Sequence, residues 1–228
     1  MEHNTGTIAL VGGGEFCEGC SFDGELLEAE RPKEITVLPT AAAFESPQLA
    51  VARATEYFSG LGYPVRPVPI YSRADACDYG LAGEVAKSRL LYLTGGSPLH
   101  LRSVLKDSPT LEAIKEVIRQ GGTLVASSAS AMVLANPMID PRGGALTLGL
   151  GIFPGIAVLP HANAWNRDRK ERTLALAGHS AVIVAIDERT ALIRGSNGEL
   201  RVSGEGEVTV YRDRGPAALE ELAFAVAL

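Results

Sequence analysis

The sequence predicts an α/β fold of three layers, with a doubly wound, mostly parallel sheet between helices and antiparallel hairpins near the C-terminus. Two observations predict it. Short runs rich in Val, Ile and Leu alternate with helical stretches as far as Ser127, and after His161 the apolar runs become short and are separated by turns. We expect residues 1–228 to form a single domain, because no repeat, low-complexity tract or Pro-rich linker divides them.

The first strands are predicted from short runs rich in Val, Ile and Leu. Such runs are typical of parallel strands that are covered by helices on both faces. The predicted strands span residues 7–11, 34–38, 65–71, 90–94 and 123–127.

Three helix starts are predicted from serine–proline pairs, because serine caps a helix N-terminus and proline suits the first helical position. The pairs are Ser46-Pro47, Ser97-Pro98 and Ser108-Pro109. The first of these helices is expected to reach about Ser59, where Gly60 and Gly62 follow.

Four later runs predict hairpins that extend one edge of the sheet. They span residues 181–186, 190–194, 200–202 and 207–211, with Asp-Glu or Gly-containing turns between them.

Composition excludes several classes of partner. The net charge is −6, and the tightest basic cluster, residues 167–172, is interleaved with Asp168 and Glu171, so we expect no nucleic acid partner. The first apolar run is short and no basic residue precedes it, which predicts neither a signal peptide nor a membrane span. The sequence leaves a monomer and a homodimer equally open.

The cysteines predict a reducing, cytoplasmic setting, because three of them cannot all pair. Cys17 and Cys20 form a single CxxC pair, and Cys77 alone does not complete a zinc site. We therefore interpret them as structural or idle thiols and expect neither a metal nor another cofactor.

Ligands of open α/β sheets bind at the carboxyl ends of the strands, so the residues that follow each strand are the candidates for chemistry. The first is the glycine run 12–14. A dinucleotide site would need an acidic residue at the end of the second strand, but that strand ends in Leu38-Pro39-Thr40-Ala41. A tight turn near the site is favoured, with nucleotide binding as the minor alternative.

The second candidate is the turn 94–98, in which Gly95 and Gly96 have no side chain to cover their backbone N–H groups at the start of a helix. Such donors suit an oxyanion. An ordinary strand-to-helix turn with Ser97 as N-cap is the alternative.

The third candidate, residues 125–131, joins a strand directly to a helix through small residues, as a nucleophile elbow does. Aligned on the pattern G-x-S-x-G, Ser128 takes the place of the nucleophile. Ala126 and Ser130 replace the two glycines of that pattern.

The fourth candidate is His161, which follows an apolar run and Pro160. The other histidines are His3 near the terminus, His100 inside a helix and His179 in a loop. A histidine base needs an acid to orient it, and the candidates are Asp140, Asp168 and Glu171. Asp140 gives the chain order Ser, Asp, His, although the segment 140–143 also has the composition of a turn.

With these segments in view, the sequence resembles the dipeptidase E and cyanophycinase family of serine peptidases, whose fold is similar to that of class I glutamine amidotransferases. The matching segments are residues 8–14, 38–43, 93–97, 127–131, 149–161 and 187–192. The resemblance implies Ser128 as nucleophile and His161 as base. It also implies oxyanion donors at the backbone of Gly96 and Ala129.

The chain departs from the family pattern at two positions. Ser130 stands where the family usually has glycine, and Ser97 stands where members with known substrates have Asp or Asn. Specificity for an N-terminal aspartate or for cyanophycin is therefore not carried over to this chain.

We expect, then, a serine peptidase that cleaves short peptides through an acyl-enzyme, with Ser128, His161 and Asp140 as its triad. Expected substrate contacts are Gly95, Ser97, Asn163 and Arg167, and the arginines that suit a carboxylate anchor are Arg102, Arg142, Arg167 and Arg169. The leading alternative is a catalytically weak or inactive amidotransferase-like protein that binds a small molecule. An esterase of the α/β-hydrolase type is a third hypothesis. It is less favoured because few residues separate Ser128 from His161, which leaves no room for the strands and helices that lie between elbow and histidine in that fold.

Overall fold

A computed structural model describes residues 5–228, so His3 lies outside the described part of the chain. Its main sheet has seven strands, in the order β13-β12-β1-β5-β4-β2-β3. These strands are β1 (Ile8–Val11), β2 (Ile35–Leu38), β3 (Val65–Pro67), β4 (Leu90–Leu93), β5 (Thr123–Ser127), β12 (Thr190–Arg194) and β13 (Leu200–Gly204). Strands β1 to β5 run parallel. Strand β12 pairs antiparallel with β1, and β13 pairs antiparallel with β12 at the edge of the sheet.

Helices cover both faces of this sheet. They are α1 (Ser21–Glu30), α2 (Pro47–Gly60), α3 (Arg73–Ala76), α4 (Tyr79–Ala86), α5 (Pro98–Leu105), α6 (Pro109–Arg119), α7 (Ala129–Leu134) and α8 (Arg167–Ala177). Neighbouring residues of one strand enter different apolar clusters: Ala9 packs with α1 and α2, whereas Leu10 packs with α4 to α7. Successive side chains of a strand point to opposite faces. The predicted mixed α/β architecture is confirmed.

A second sheet, which the sequence did not predict, stands beside the first. Its order is β10-β11-β14-β15, and its strands are β10 (Ile156–Leu159), β11 (Val182–Ile186), β14 (Val208–Arg212) and β15 (Gly215–Ala217). The predicted hairpins are therefore divided, because β12 and β13 extend the main sheet while β11 and β14 pair with each other. Short pairs complete the structure: β6 (Ala135–Asn136) with β9 (Phe153–Pro154), and β7 (Met138–Ile139) with β8 (Leu146–Thr147).

One predicted strand boundary and one predicted helix cap differ from the structure. Strand β3 ends at Pro67 rather than continuing to residue 71, because Pro67 and Pro69 have no N–H to donate to a neighbouring strand. Helix α2 begins after Ser46 as predicted, but the Ser46 hydroxyl makes no capping hydrogen bond there. Ser97 and Ser108 do cap their helices, by accepting from the N–H groups of His100 and Leu111.

Within residues 5–228, no helix has the length and apolar character that a membrane crossing requires.

Candidate active site

Ser128 occupies the bend between β5 and α7, at the carboxyl edge of the main sheet. Its backbone has φ +49° and ψ −111°, a conformation that non-glycine residues rarely adopt. The bend is held by two backbone hydrogen bonds, from Ser128 N to Val11 O at 2.9 Å and from Met132 N to Ser128 O at 3.1 Å. A strained serine that turns a strand into a helix is the form of a nucleophile elbow.

The residues flanking the elbow fit although they are not glycine. Ala126 is fully buried in the middle of the sheet, where it lies opposite Leu10 on one side and Leu93 on the other. Ser130 is also buried, and its hydroxyl donates a hydrogen bond of 2.6 Å to the carbonyl of Thr94. The hydroxyl of Ser130 thus links the elbow to the glycine turn after β4.

His161 reaches Ser128 from the second sheet. Its Nε2 lies 2.8 Å from Oγ of Ser128. The backbone N–H of His161 donates to the carbonyl of Gly12 at 2.7 Å, and the ring packs directly on Gly13. A β-carbon at Gly13 would lie 2.2 Å from Cε1 of His161, so this position requires glycine.

Glu188 completes a line of three side chains. Its Oε1 lies 2.8 Å from Nδ1 of His161, and its own backbone N–H donates to Oδ1 of Asn163 at 3.1 Å. The side chains of His161 and Glu188 are each about one-third exposed. With the Nδ1 proton directed at the carboxylate, the Nε2 lone pair faces the serine hydroxyl, the arrangement that proton transfer requires.

The expected acid, Asp140, does not contact His161. Its carboxylate is held instead by the guanidinium and then by the backbone N–H of Arg142, which lower the pKa of Asp140 to about 2. Of the other two candidates, Asp168 is exposed in the first turn of α8, and Glu171 pairs with Arg167 at 2.6 Å. The structure corrects the sequence interpretation here, because chain order gave no information about which loop faces the imidazole.

Glu188 was missed because Asp187-Glu188 has the composition of a turn between two strands. A signal was present, since the residue lies two positions after the end of β11 and within a segment of the family resemblance, residues 187–192. The second sheet brings the end of β11 to the same edge as β1, where Arg189 N donates to Gly13 O at 2.7 Å.

The glycine turn after β4 lies beside the nucleophile. A β-carbon at Gly95 would be 3.3 Å from Cβ of Ser128. Gly96 has φ +139°, and a β-carbon there would lie 2.3 Å from the carbonyl oxygen of Ala41. The Gly96 N–H makes no hydrogen bond to any residue from 5 to 228. Ala129 is the first residue of α7, where a helix N–H has no partner within the helix.

Several residues that were expected to contact the substrate already make hydrogen bonds within the protein. The Gly95 N–H donates to Oε1 of Glu15 at 2.9 Å, and the Ser97 hydroxyl is the cap acceptor of α5. Asn163 supports the backbone of Glu188 through its amide oxygen. Arg167 is paired with Glu171 on the exposed face of α8.

Among the described residues, three of the four arginines expected as carboxylate anchors are already bound to groups of the protein, and one is not. Arg142 binds Asp140, Arg167 binds Glu171, and Arg169 stacks on Trp165 with its guanidinium carbon 4.0 Å from the ring centroid. Arg102 forms no ion pair with a described residue, and its Nε is buried without a hydrogen-bond partner.

The CxxC pair lies on the loop that follows the glycine run. Sγ of Cys17 and Sγ of Cys20 both approach the carbonyl oxygen of Gly14, at 3.1 and 3.4 Å. Burial raises the pKa of Cys20 to about 12, so this thiol is protonated at neutral pH and is a poor nucleophile.

Known proteins share sequence with most of this chain. A family model described as peptidase family S51 matches residues 8–201. The cyanophycinase of Trichormus variabilis is 31% identical over 189 residues, which cover 77% of this chain and 62% of that protein. The cyanophycinase of Geminocystis herdmanii is 29% identical over 209 residues, covering 82% of this chain and 75% of the other. The chain thus spans less than two-thirds of the first of these relatives.

Solved structures show the same fold. A crystal structure of a peptidase from an acI-B1 Actinobacterium has a TM-score of 0.81 and 27% identity, and covers 95% of both chains. A Listeria monocytogenes EGD-e protein that carries the name peptidase E has a TM-score of 0.63, with 91% of this chain and 98% of the other covered. At 19% identity, the second likeness concerns the fold alone.

Proposed function

The chain belongs to peptidase family S51, and from that premise we propose that it is a serine peptidase that hydrolyses short peptides through an acyl-enzyme on Ser128. One observation carries the proposal. Ser128, His161 and Glu188 form a continuous hydrogen-bonded line, with 2.8 Å from Oγ to Nε2 and 2.8 Å from Nδ1 to Oε1. This line has the geometry of a nucleophile, a base and an orienting acid.

In the proposed reaction, Nε2 of His161 takes the hydroxyl proton as Oγ of Ser128 attacks the peptide carbonyl carbon. Glu188 stabilises the imidazolium that results. The N–H groups of Gly96 and Ala129 receive the carbonyl oxygen as it becomes negative. The C–N bond then breaks, His161 returns the proton to the leaving amine, and a water molecule repeats the steps to release the acid and regenerate Ser128.

Short peptides are the proposed substrates. Arg102 is a candidate anchor for the carboxylate of such a peptide, because the other three arginines considered are already bound to groups of the protein. The name cyanophycinase belongs to relatives, and a β-linked aspartyl-arginine dipeptide is therefore included among the substrates to be tested. A cytoplasmic setting is proposed as well, and the free thiols of Cys17, Cys20 and Cys77 support it.

A fluorophosphonate probe tests the nucleophile before any substrate is known. We expect the wild-type protein to be labelled and Ser128→Ala to be unlabelled. Ser103→Ala, which removes an exposed hydroxyl from α5, should be labelled as the wild type is. A wild-type protein that stays unlabelled would favour the alternative, an inactive amidotransferase-like protein that binds a small molecule.

A dipeptide library then defines the substrate. It should include N-terminal Asp, Glu, Gln and Arg together with the β-linked aspartyl-arginine dipeptide. On the best substrate found, Ser128→Ala should lower kcat by about a millionfold. Retention of wild-type activity in that variant would contradict the proposal.

A further inference from the structure

Glu15 links the two loops that flank the nucleophile. It lies on the loop between β1 and α1, and both of its carboxylate oxygens accept hydrogen bonds. Oε1 accepts from the backbone N–H of Gly95 at 2.9 Å, and Oε2 accepts from the hydroxyl of Ser127 at 2.7 Å. Ser127 directly precedes Ser128, and Gly95 directly precedes Gly96.

The peptide unit between Thr94 and Gly95 is held at both ends. Its N–H donates to Glu15, and its carbonyl accepts from the hydroxyl of Ser130 at 2.6 Å. On the other side of Gly96, the N–H of Ser97 donates to the carbonyl of Ala41 at 2.8 Å. The Gly95–Gly96 peptide, which carries the Gly96 N–H, therefore lies between two fixed peptide units, and this N–H makes no hydrogen bond to a described residue.

A pair of glycines would not keep one orientation without such contacts, because glycine backbones reach conformations that other residues do not. Oxyanion donors work best when they are fixed before the reaction, since no reorganisation is then needed as charge develops. Of the two contacts that hold the Thr94–Gly95 peptide, the one to its N–H comes from the side chain of Glu15.

We propose that Glu15 is a positioning residue, which fixes the Gly95–Gly96 turn so that the Gly96 N–H is ready to receive the oxyanion. This inference rests on the proposed function. Glu15 acts through the backbone of Gly95 and the hydroxyl of Ser127, and it transfers no proton in the reaction.

Two substitutions at Glu15 separate positioning from charge. In Glu15→Gln the amide oxygen still accepts from Gly95 N–H, and the amide NH₂ donates to Ser127 Oγ, so both links are kept. In Glu15→Ala both links are lost. We expect kcat to fall about 100-fold in Glu15→Ala, the loss typical of an oxyanion donor, with KM changed less than about threefold. Glu15→Gln should stay within about threefold of the wild type, which is the rescue that positioning requires.

Two further variants calibrate these results. Ser127→Ala removes one of the two hydrogen bonds to Glu15 and should give an intermediate loss of kcat. Glu18→Ala removes an exposed glutamate from the same loop and should leave kcat unchanged. Circular dichroism and a thermal melt on each variant show whether it is folded at the assay temperature. If Glu15→Ala does not fold, Ser127→Ala and Glu15→Gln still decide whether Glu15 acts through its two hydrogen bonds or through its charge.

The rate of fluorophosphonate labelling and the affinity for a peptide boronate give readouts that a stability role would not change, because both place an oxygen in the oxyanion position. We expect both to weaken in Glu15→Ala. A folded Glu15→Ala that is labelled as fast as the wild type would overturn the role of Glu15. Failure of the wild type to be labelled would instead overturn the proposed function.

Discussion

Nδ1 of His161 lies 2.8 Å from Oε1 of Glu188, and this contact joins a loop of the second sheet to the edge of the main sheet. The first prediction concerns it. Glu188→Gln should lower kcat about 10³- to 10⁴-fold with KM nearly unchanged, because an amide can donate to Nδ1 and stabilise the wrong tautomer of the imidazole. Steady-state kinetics on the best dipeptide would measure this.

Asp140→Asn is the matched control for Glu188→Gln. It removes the charge of a carboxylate that pairs with Arg142, and we expect kcat within about twofold of the wild type because Asp140 makes no contact with His161. Large losses in Asp140→Asn together with none in Glu188→Gln would reverse the assignment of the acid.

The second prediction concerns the glycine under the imidazole. In Gly13→Ala the new β-carbon would lie 2.2 Å from Cε1 of His161, and the backbone has φ +108°. The ring must move away from Ser128, and a displacement of about 1 Å lowers the rate about 100-fold. Gly24→Ala is the control, since a β-carbon there meets no atom within 4 Å. Kinetics of Gly13→Ala equal to those of Gly24→Ala would contradict this role.

The sequence predicted the parallel part of the fold because its strands are short runs rich in Val, Ile and Leu beside clear helix start signals, as at Ser97 and Ser108. It also singled out Ser128 and His161, since each lies just after a strand. It could not place Glu188, because the partner of an imidazole depends on how two sheets meet. The arrangement of the two sheets depends on long-range strand pairing, such as that of β10 with β11, which no local pattern of residues encodes.

The third prediction concerns the serine at the second glycine position of the elbow. Ser130→Ala removes the hydrogen bond to the carbonyl of Thr94 and leaves that buried oxygen without its partner. The free energy of unfolding should fall by about 1–3 kcal/mol, as for other buried polar groups that lose a partner. Urea unfolding of Ser130→Ala and of the exposed control Ser103→Ala would show the difference. Equal midpoints would mean that the hydroxyl contributes nothing.

The fourth prediction concerns a buried acid behind the site. Asp23 in α1 is only 2% exposed, and its Oδ2 has no hydrogen-bond partner in the described chain. Burial raises the pKa of Asp23 well above its ordinary value; the hydroxyl of Tyr57 opposes this shift, and the charge of Glu15 adds to it. The folded protein therefore holds a proton on Asp23 that the unfolded chain releases above about pH 4.

A raised pKa makes the contribution of Asp23 to stability most favourable below its unfolded value, and this contribution is lost as pH rises toward the folded value. In that window the wild type should lose about 1.4 kcal/mol per pH unit relative to Asp23→Asn, which has no proton to release. Urea unfolding from pH 4 to pH 8 measures the difference, with the exposed Asp168→Asn as control. Stability curves of Asp23→Asn and wild type that run parallel over this range would show that Asp23 is ionised in the folded protein.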